Sequence, residues 1–417
     1  MEKDTTRSWV VVVILGFAVA IASMDRVILS VATPTIMKQL GLSGTSAGLL
    51  LAAFFWSYTI MQLPSGLLVD RFGTKSVLAI GFTLWSISCA AMGWASSFSS
   101  LVLCRLGLGV GEGPVFPSAY RVVSTVFSER NRGLASAIYG DGSKLGPAIG
   151  APLAGILIAS YGWQNMFAIV GFVSLLWLIP WFIYAPNRQQ DVGTTVNQIK
   201  WNEFFQILKK RDILGAALGY FGYLYIFYVY ITWLPGYLVL ERGFTTVQAG
   251  WLSMIPFAVQ FTVAPIAGGL ADYFIHKGYS TTVVRKTAIA IGLILAFAIV
   301  PGAIVNSSTL SLILFGISTA GLGVCNPNML AVPSGLAPKN RGGIVGAIQN
   351  TGGNLGGVAA PMITGSLFDI THSFVAALSV AGGMLFVCAL GYLIMIRRIE
   401  PVELESGGST VLAATSA

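Results

Sequence analysis

Apolar runs of about 20 residues or more recur along the whole chain, each long enough to cross a bilayer core of roughly 30 Å as a helix. Hydrophobic residues make up 55% of the sequence and charged residues only 10%, whereas soluble domains carry about 25% charged residues. Lipid is therefore the solvent for most of the chain, and the sequence predicts an all-α membrane protein with twelve transmembrane helices. The predicted spans are 9–32, 46–69, 75–95, 99–125, 133–160, 163–185, 212–239, 245–275, 283–305, 308–332, 342–369 and 373–397.

Lysine and arginine residues are concentrated in alternate loops between these spans. The positive-inside rule places such loops, and with them both termini, in the cytoplasm. The net charge of +8 is thus a topology signal, and we expect no nucleic-acid partner. The sequence predicts a multi-pass plasma-membrane protein, in a bacterial inner membrane because the loops are short, and a monomer in the bilayer.

A polar break separates six spans from six and defines four predicted regions. These are an N-terminal six-helix bundle (1–185), a cytoplasmic linker with a surface helix (186–211), a C-terminal six-helix bundle (212–398) and a disordered cytoplasmic tail (399–417). The halves repeat, because Asn131-Arg132-Gly133 after the fourth span returns as Asn340-Arg341-Gly342 after the tenth. Such a duplication is typical of alternating-access transporters, which hold their substrate between the halves.

The loop between the second and third spans reads Gly66-Leu67-Leu68-Val69-Asp70-Arg71-Phe72-Gly73-Thr74-Lys75. It resembles the signature loop of the major facilitator superfamily, and the resemblance, which covers nearly the whole chain, implies two pseudo-symmetric six-helix bundles. Charged groups at cytoplasmic helix ends can clamp the halves together in one state and release them in another. The alternative is a surface salt-bridge group that only aids topology. The predicted gating residues are Asp70, Arg71, Lys75, Arg132, Asp272 and Arg341, with Asp272 in an interrupted second copy of the loop.

Six ionisable residues lie deep inside the apolar spans of the first half, namely Asp25, Arg26, Arg105, Glu112, Asp141 and Lys144. Charge at membrane depth costs several kcal/mol unless it is paired or lines a watery path, so these residues are functional candidates. When all six are ionised their charges sum to zero. A proton on one carboxylate would leave a net positive site, which suits an organic anion.

The segments around Asp25-Arg26 and around Arg105 and Glu112 resemble the anion:cation symporter family, which includes bacterial sugar-acid carriers, sialin and the vesicular glutamate transporters. The resemblance implies that Asp25 and Glu112 are protonation sites and that Arg26 and Arg105 bind the anion or couple it to protons. Burial favours a neutral carboxylic acid and a neighbouring arginine favours the carboxylate, so a balanced site can change protonation. Arginine stays protonated and can grip a carboxylate with two donors. The alternative is that Asp25 with Arg26, and Glu112 with Arg105, are permanent structural pairs.

The fifth span departs from the sugar-acid carriers, because Ser143 stands where those carriers have a glutamine. This span adds Asp141 and Lys144, which are three residues apart and can face each other on a helix. Lys144 and Ser143 are therefore candidate substrate ligands, with mutual neutralisation of Asp141 and Lys144 as the alternative. If Lys144 contacts the substrate, a smaller or more acidic anion is favoured over a polyhydroxylated sugar acid as the predicted substrate.

Polar side chains in the second half complete the candidate site. Tyr223 and Tyr230 share one face of the seventh span, and Asn350 and Asn354 are one turn apart in the eleventh. Their hydroxyl and amide groups can bind substrate hydroxyls, although hydrogen bonding between helices explains such residues equally well.

These features predict a secondary transporter and no enzyme. The expected activity is proton-coupled symport of an organic anion, a sugar acid such as an aldonate, hexuronate or glucarate or a related carboxylate, by alternating access. Protons are the expected coupling ion, with no other cofactor and no metal. The alternatives are an exchanger or exporter of the same fold for a dicarboxylate, aromatic acid or drug-like substrate, and a non-transporting sensor.

Overall fold

The computed structural model describes residues 4–186, 201–338 and 341–403, and these residues form helices joined by short turns without any strand. The α-helices are α1 (Thr6–Leu40), α2 (Gly44–Phe72), α3 (Thr74–Ala91), α4 (Phe98–Glu112), α5 (Val115–Val126), α6 (Glu129–Ser174), α7 (Leu178–Tyr184), α8 (Trp201–Leu208), α9 (Arg211–Leu240), α10 (Thr246–His276), α11 (Thr281–Ala296), α12 (Ile299–Ile304), α13 (Ser308–Leu336), α14 (Gly342–Thr371) and α15 (Phe374–Ala389). A π-helical turn, Leu390–Met395, continues α15.

Each of the twelve predicted spans coincides with helix. Helix α6 holds two spans, because Gly162 has a positive φ of 80° that breaks it. The fourth span is divided into α4 and α5 at Gly113-Pro114. Nine of the described helical segments are long and apolar enough to cross a membrane. The two short helices of the fourth span are not among them, and neither is the glycine- and asparagine-rich α14, so the count of twelve stays a prediction.

Helix packing divides the described chain into two groups. In the first, α1 packs on α6, and α3 packs on α4 and α6; in the second, α9 packs on α14 and α15, and α13 packs on α10 and α11. The groups meet mainly where α1 packs on α9, α2 on α14 and α6 on α10, with a smaller contact between α1 and α10. The predicted domain boundaries stay predictions, because residues 187–200 of the linker and residues 404–417 of the tail lie outside the described residues. The short helix predicted in the linker is present as α8.

The two groups are in close contact at the outer ends of their helices. Helix α2 begins against the end of α14, where a Cβ on Gly44 would lie only 2.7 Å from the carbonyl oxygen of Gly365. The carboxylate of Asp369 accepts hydrogen bonds from the backbone N–H groups of Gly44 and Thr45, at 2.6 and 2.7 Å. It also accepts one from the Thr45 hydroxyl at 2.6 Å. An acid of one group therefore caps the helix N-terminus of the other.

The inner ends of the same two helices are separated. A Cβ on Gly66 of α2, or on Gly346 of α14, would meet no described atom within 4 Å. The neighbouring Leu67 is 73% exposed. Helices α2 and α14 therefore meet at the ends that are predicted to face outside and are apart at the ends that are predicted to face the cytoplasm.

We expect Asp369→Ala to weaken the outer closure, because loss of a helix cap costs about 1 kcal/mol, or roughly a fivefold change in population. Spin labels at Lys38 and Leu240, which line the outer cleft between α1 and α9, should show a larger long-distance fraction by pulsed electron resonance. Ser43→Ala is the matched control, because Ser43 caps α2 from within its own group by accepting from the Ser46 N–H. Equal distance distributions in Asp369→Ala and Ser43→Ala would contradict the assignment.

Candidate functional site

The centre of the site is an ion pair between α1 and α4. The Nη2 atom of Arg26 lies 2.6 Å from Oε2 of Glu112 and donates a hydrogen bond to it. Glu112 is completely buried, and Arg26 is 9% exposed. Both pairings that sequence reasoning offered as structural alternatives, Asp25 with Arg26 and Glu112 with Arg105, differ from this one. The adjacent residues Asp25 and Arg26 point in different directions from α1, so the arginine reaches a different helix.

Asp25 and Arg105 are buried without an ion-pair partner among the described residues. Asp25 accepts a hydrogen bond from the Cys89 thiol at 3.5 Å, and its second oxygen has no partner. Arg105 makes one long hydrogen bond of 3.5 Å to the Leu51 carbonyl oxygen, and its Nε and Nη1 atoms have no partner. Buried polar groups are rarely left unsatisfied. The unpaired Asp25 oxygen and the unpaired Arg105 nitrogens therefore fit a site that a ligand or water completes.

Aromatic rings of α2 contact the guanidinium groups of Arg26 and Arg105. The guanidinium carbon of Arg26 lies 4.6 Å from the ring centroid of Phe54 and 5.2 Å from that of Tyr58. The guanidinium carbon of Arg105 lies 5.1 Å from the Phe54 centroid. Cation–π attraction favours both contacts. Sequence reasoning missed Phe54 and Tyr58, although their spacing of four residues places them on one face of the second span.

Close approach of α4 to α2 makes this arrangement compact. A Cβ on Gly109 would overlap the backbone carbonyl oxygen of Phe54 and lie 2.9 Å from the backbone nitrogen of Tyr58. Glycine at this position lets the two helices touch. As a result, the side chains of Arg105 and Glu112, one helical turn to either side, meet the rings of α2.

The predicted pair in α6 is present. Nζ of Lys144 lies 3.0 Å from Oδ1 of Asp141, and Lys144 is 8% exposed. The Ser143 hydroxyl donates to the Gly140 carbonyl oxygen at 2.7 Å. The roles of Lys144 and Ser143 in substrate binding stay predictions.

Of the four candidates in the second half, two make contacts within the second group of helices and one makes a contact across to the first group. The Tyr223 hydroxyl accepts a hydrogen bond from Gln260 Nε2 at 3.0 Å, and Tyr230 packs its ring against Phe315 with centroids 5.7 Å apart. Both contacts lie within the second group of helices. Asn350 instead crosses between the groups and donates to Gln62 Oε1 at 3.2 Å.

Asn354 lies one turn beyond Asn350 on α14. It is 3% exposed, and its Nδ2 atom has no hydrogen-bond partner. An unpaired buried polar group is costly, so Asn354 has a structural case as a ligand, and so does Tyr230, whose buried hydroxyl also has no hydrogen-bond partner. Sequence reasoning missed the glutamines Gln62 and Gln260, because nothing in their local pattern distinguishes a site residue from a packing residue.

The first three predicted gating residues make contacts within one group of helices. Asp70 forms an ion pair with Arg121 on α5. The Arg71 guanidinium carbon lies 5.2 Å from the Phe72 ring centroid, and Lys75 donates to the Phe182 carbonyl oxygen at 2.8 Å.

The other three also lie near the inner helix ends. Arg132 and Arg341 occupy matching places in the repeated segments, and Asp272 corresponds to Asp70. Arg132 donates to the Ser124 carbonyl oxygen at 3.0 Å, and Arg341 stands at the start of α14. Asp272 pairs with Arg285 at 2.9 Å, so the interrupted second copy of the loop keeps an acid–base pair. A clamp between the groups stays a prediction for all six residues.

Comparisons with known proteins agree with this architecture. Residues 15–361 match the family model of the Major Facilitator Superfamily. The chain belongs to this superfamily. It is 32% identical to a probable L-galactonate transporter of Escherichia coli, over 92% of this chain and 88% of the relative. It is 29% identical to a probable galactarate/D-glucarate transporter of Bacillus subtilis, over 97% of this chain and 95% of the relative.

A solved structure shows the same fold. A bacterial homologue of the human lysosomal transporter Spinster superposes with a TM-score of 0.80 at 19% identity, over 95% of this chain and 98% of that one. The predicted all-α major facilitator fold is thereby confirmed. The family match and the transporter relatives confirm a multi-pass membrane location, and the cytoplasmic position of both termini stays a prediction. The relatives are transporters, so the expectation that the protein is not an enzyme is confirmed as well.

We expect Arg26→Met to destabilise the protein more than the double variant Arg26→Met/Glu112→Gln. Removing one partner of a buried ion pair leaves an uncompensated charge and costs about 3–5 kcal/mol, whereas removing both costs less. Thermal unfolding of the purified protein measures the difference. Asp70→Asn is the control, because its pair with Arg121 is exposed and such pairs are worth about 0–1 kcal/mol. A double variant less stable than Arg26→Met would contradict the assignment.

Proposed function

We propose that the protein is a secondary transporter that imports a sugar-acid anion together with protons by alternating access. Its relatives are named as galactonate, galactarate/D-glucarate and hexuronate transporters. The observation that carries the proposal is the buried Arg26–Glu112 pair beside an Arg105 with unpaired donors. This set has the charge and the donors needed to bind an anion together with a proton.

Glu112 and the substrate carboxylate compete for Arg26 in this mechanism. While Glu112 is ionised it occupies Nη2 of Arg26. A proton on Glu112 removes its negative charge and frees the Arg26 guanidinium to bind a substrate carboxylate bidentately. Anion binding is thereby linked to proton uptake, since each favours the other.

Arg105 and Asp25 take part in the same linkage between anion binding and proton uptake. The Nε and Nη1 donors of Arg105 are unpaired and buried, so they are ready for a carboxylate oxygen. Asp25 is held by the Cys89 thiol and has a free oxygen. It is the second proton carrier in the proposal, and Phe54 fixes the distance between the two guanidinium groups. Asn350, which contacts Gln62 of α2 from the other half, and the buried Asn354 one turn further on would bind substrate hydroxyls.

Access to the site changes by movement between the helix groups. The inner ends of α2 and α14 are apart. Their outer ends are joined by Asp369 of α14, which caps the N-terminus of α2. In this state the space between the groups widens toward the cytoplasm, while Glu112 and Arg105 themselves are buried. Import requires the opposite arrangement, in which the cap on α2 is broken and the inner ends meet.

We expect Glu112→Gln to abolish accumulation of radiolabelled sugar acid in cells or vesicles and to spare counterflow. The amide keeps the shape of the side chain but cannot carry a proton, so gradient-driven uptake stops while exchange of substrate continues. Glu241→Gln is the matched control at the outer end of α9, because an amide oxygen can still accept from the Phe374 N–H. Accumulation at the wild-type level in Glu112→Gln would contradict the role of Glu112.

Uptake by the wild-type protein should collapse when the proton gradient is dissipated. The expected result is equilibration of the substrate without accumulation, measured in proteoliposomes with and without a protonophore. Saturable accumulation that is insensitive to the protonophore would remove proton coupling. Uptake that requires substrate on the opposite side would identify an exchanger instead.

A further inference from the structure

The Asp141–Lys144 pair on α6 has no part in the linkage described above, yet α6 packs against α1, the helix that carries Arg26. Helices α1 and α6 touch along their length in parallel register. A Cβ on Gly146 would lie 3.0 Å from the backbone nitrogen of Met24, and one on Gly150 would lie 3.1 Å from Cγ1 of Val27. Contacts therefore advance in the same direction along both helices.

This register fixes the height of Lys144. A Cβ on Gly146 would contact the Ala20 carbonyl oxygen as well as the Met24 nitrogen, so Gly146 is level with the turn between Ala20 and Met24. Lys144 precedes Gly146 by two residues, so at 1.5 Å per residue its Cα is about 9 Å nearer the cytoplasm than that of Arg26 along the helix axis. The side chain of Lys144 thus leaves α6 on the cytoplasmic side of Arg26.

The face of α6 that carries Lys144 is turned toward the other group of helices. Ala151 is two turns further along the same face, and its carbonyl oxygen would lie 2.6 Å from a Cβ on Gly250 of α10. One turn before Lys144, a Cβ on Gly140 would meet no described atom within 4 Å. The side chain of Asp141 is 32% exposed. Lys144 thus borders the space between the groups, below the point where α6 and α10 meet.

The ammonium group of Lys144 has donors to spare. It carries three N–H donors, and its described hydrogen bond uses one of them, to Asp141. A buried lysine at membrane depth with remaining donors can bind an anion when a site opens beside it. Asp141 balances the charge of Lys144 when no anion is present.

We propose that Lys144 forms a second anion subsite and that the preferred substrate is a dicarboxylate sugar acid. One carboxylate binds at Arg26 and Arg105, and the other binds at Lys144. A monocarboxylate sugar acid of the same length places a neutral hydroxymethyl group at Lys144 and loses that ion pair. The inference rests on the proposed sugar-acid function and adds the chemical class of substrate.

The test compares binding of galactarate with D-galactonate, and of D-glucarate with D-gluconate, to the purified full-length protein by calorimetry. Each pair differs in one terminal carboxylate. The wild-type protein should bind a dicarboxylate at least tenfold more tightly than its partner. Lys144→Met should lower dicarboxylate affinity at least tenfold and change monocarboxylate affinity less than twofold. Lys144→Arg should keep the wild-type preference.

Lys38→Met is the matched control, because Lys38 is an exposed lysine at the outer end of α1. Monodisperse elution of each variant in size-exclusion chromatography shows that it is folded, and Asp141→Asn/Lys144→Met, which leaves no unpaired acid, repeats the test if Lys144→Met aggregates. Equal or tighter monocarboxylate binding by the wild-type protein would overturn the subsite, and so would an equal loss for both members of a pair in Lys144→Met. Failure of the wild-type protein to bind any of the four anions would overturn the proposed function itself.

Discussion

The buried ion pair between Arg26 and Glu112 is the interaction on which the first half of the molecule depends. Each charge alone would cost several kcal/mol at membrane depth, and their contact at 2.6 Å offsets much of that cost. The pair also ties α1 to α4, two helices that are distant in sequence. Because a buried pair gains its energy only while both charges persist, any event that neutralises Glu112 releases Arg26. The contact between α1 and α4 therefore depends on the charges of both side chains.

Helix α2 connects this pair to the rest of the protein. Phe54 contacts both guanidinium groups, and further along the same helix Gln62 accepts from Asn350 of the other group. At its outer end α2 is capped by Asp369. A single rigid helix thus touches the anion site, the interface between the groups and the outer closure. Such a helix can transmit a change in one of these places to the others.

Much of the candidate site could be predicted from the sequence because charge inside an apolar span is conspicuous. Asp25, Arg26, Arg105 and Glu112 are all buried, and Asp141 does meet Lys144 as their spacing of three residues predicts. The partner of Arg26 could not be predicted, since the choice among three nearby acids depends on how α1 and α4 face each other. Phe54, Tyr58 and Gln62 were missed for a related reason. Aromatic and amide residues are ordinary inside membrane helices, and only contact with an arginine or with the opposite half distinguishes these three.

The sequence by itself determined the all-helical class and the superfamily, because hydropathy and the loop that begins at Gly66 are local properties of the chain. It also determined which ionisable side chains would be buried and would therefore need a partner or water. Only the tertiary structure decided that Arg26 binds Glu112, that Arg105 keeps unpaired donors, and that the halves meet at Gly44 and Asp369 while their inner ends separate. Those outcomes depend on the register and spacing of helices that are far apart in the chain, and many sequences with the same local pattern could satisfy them differently.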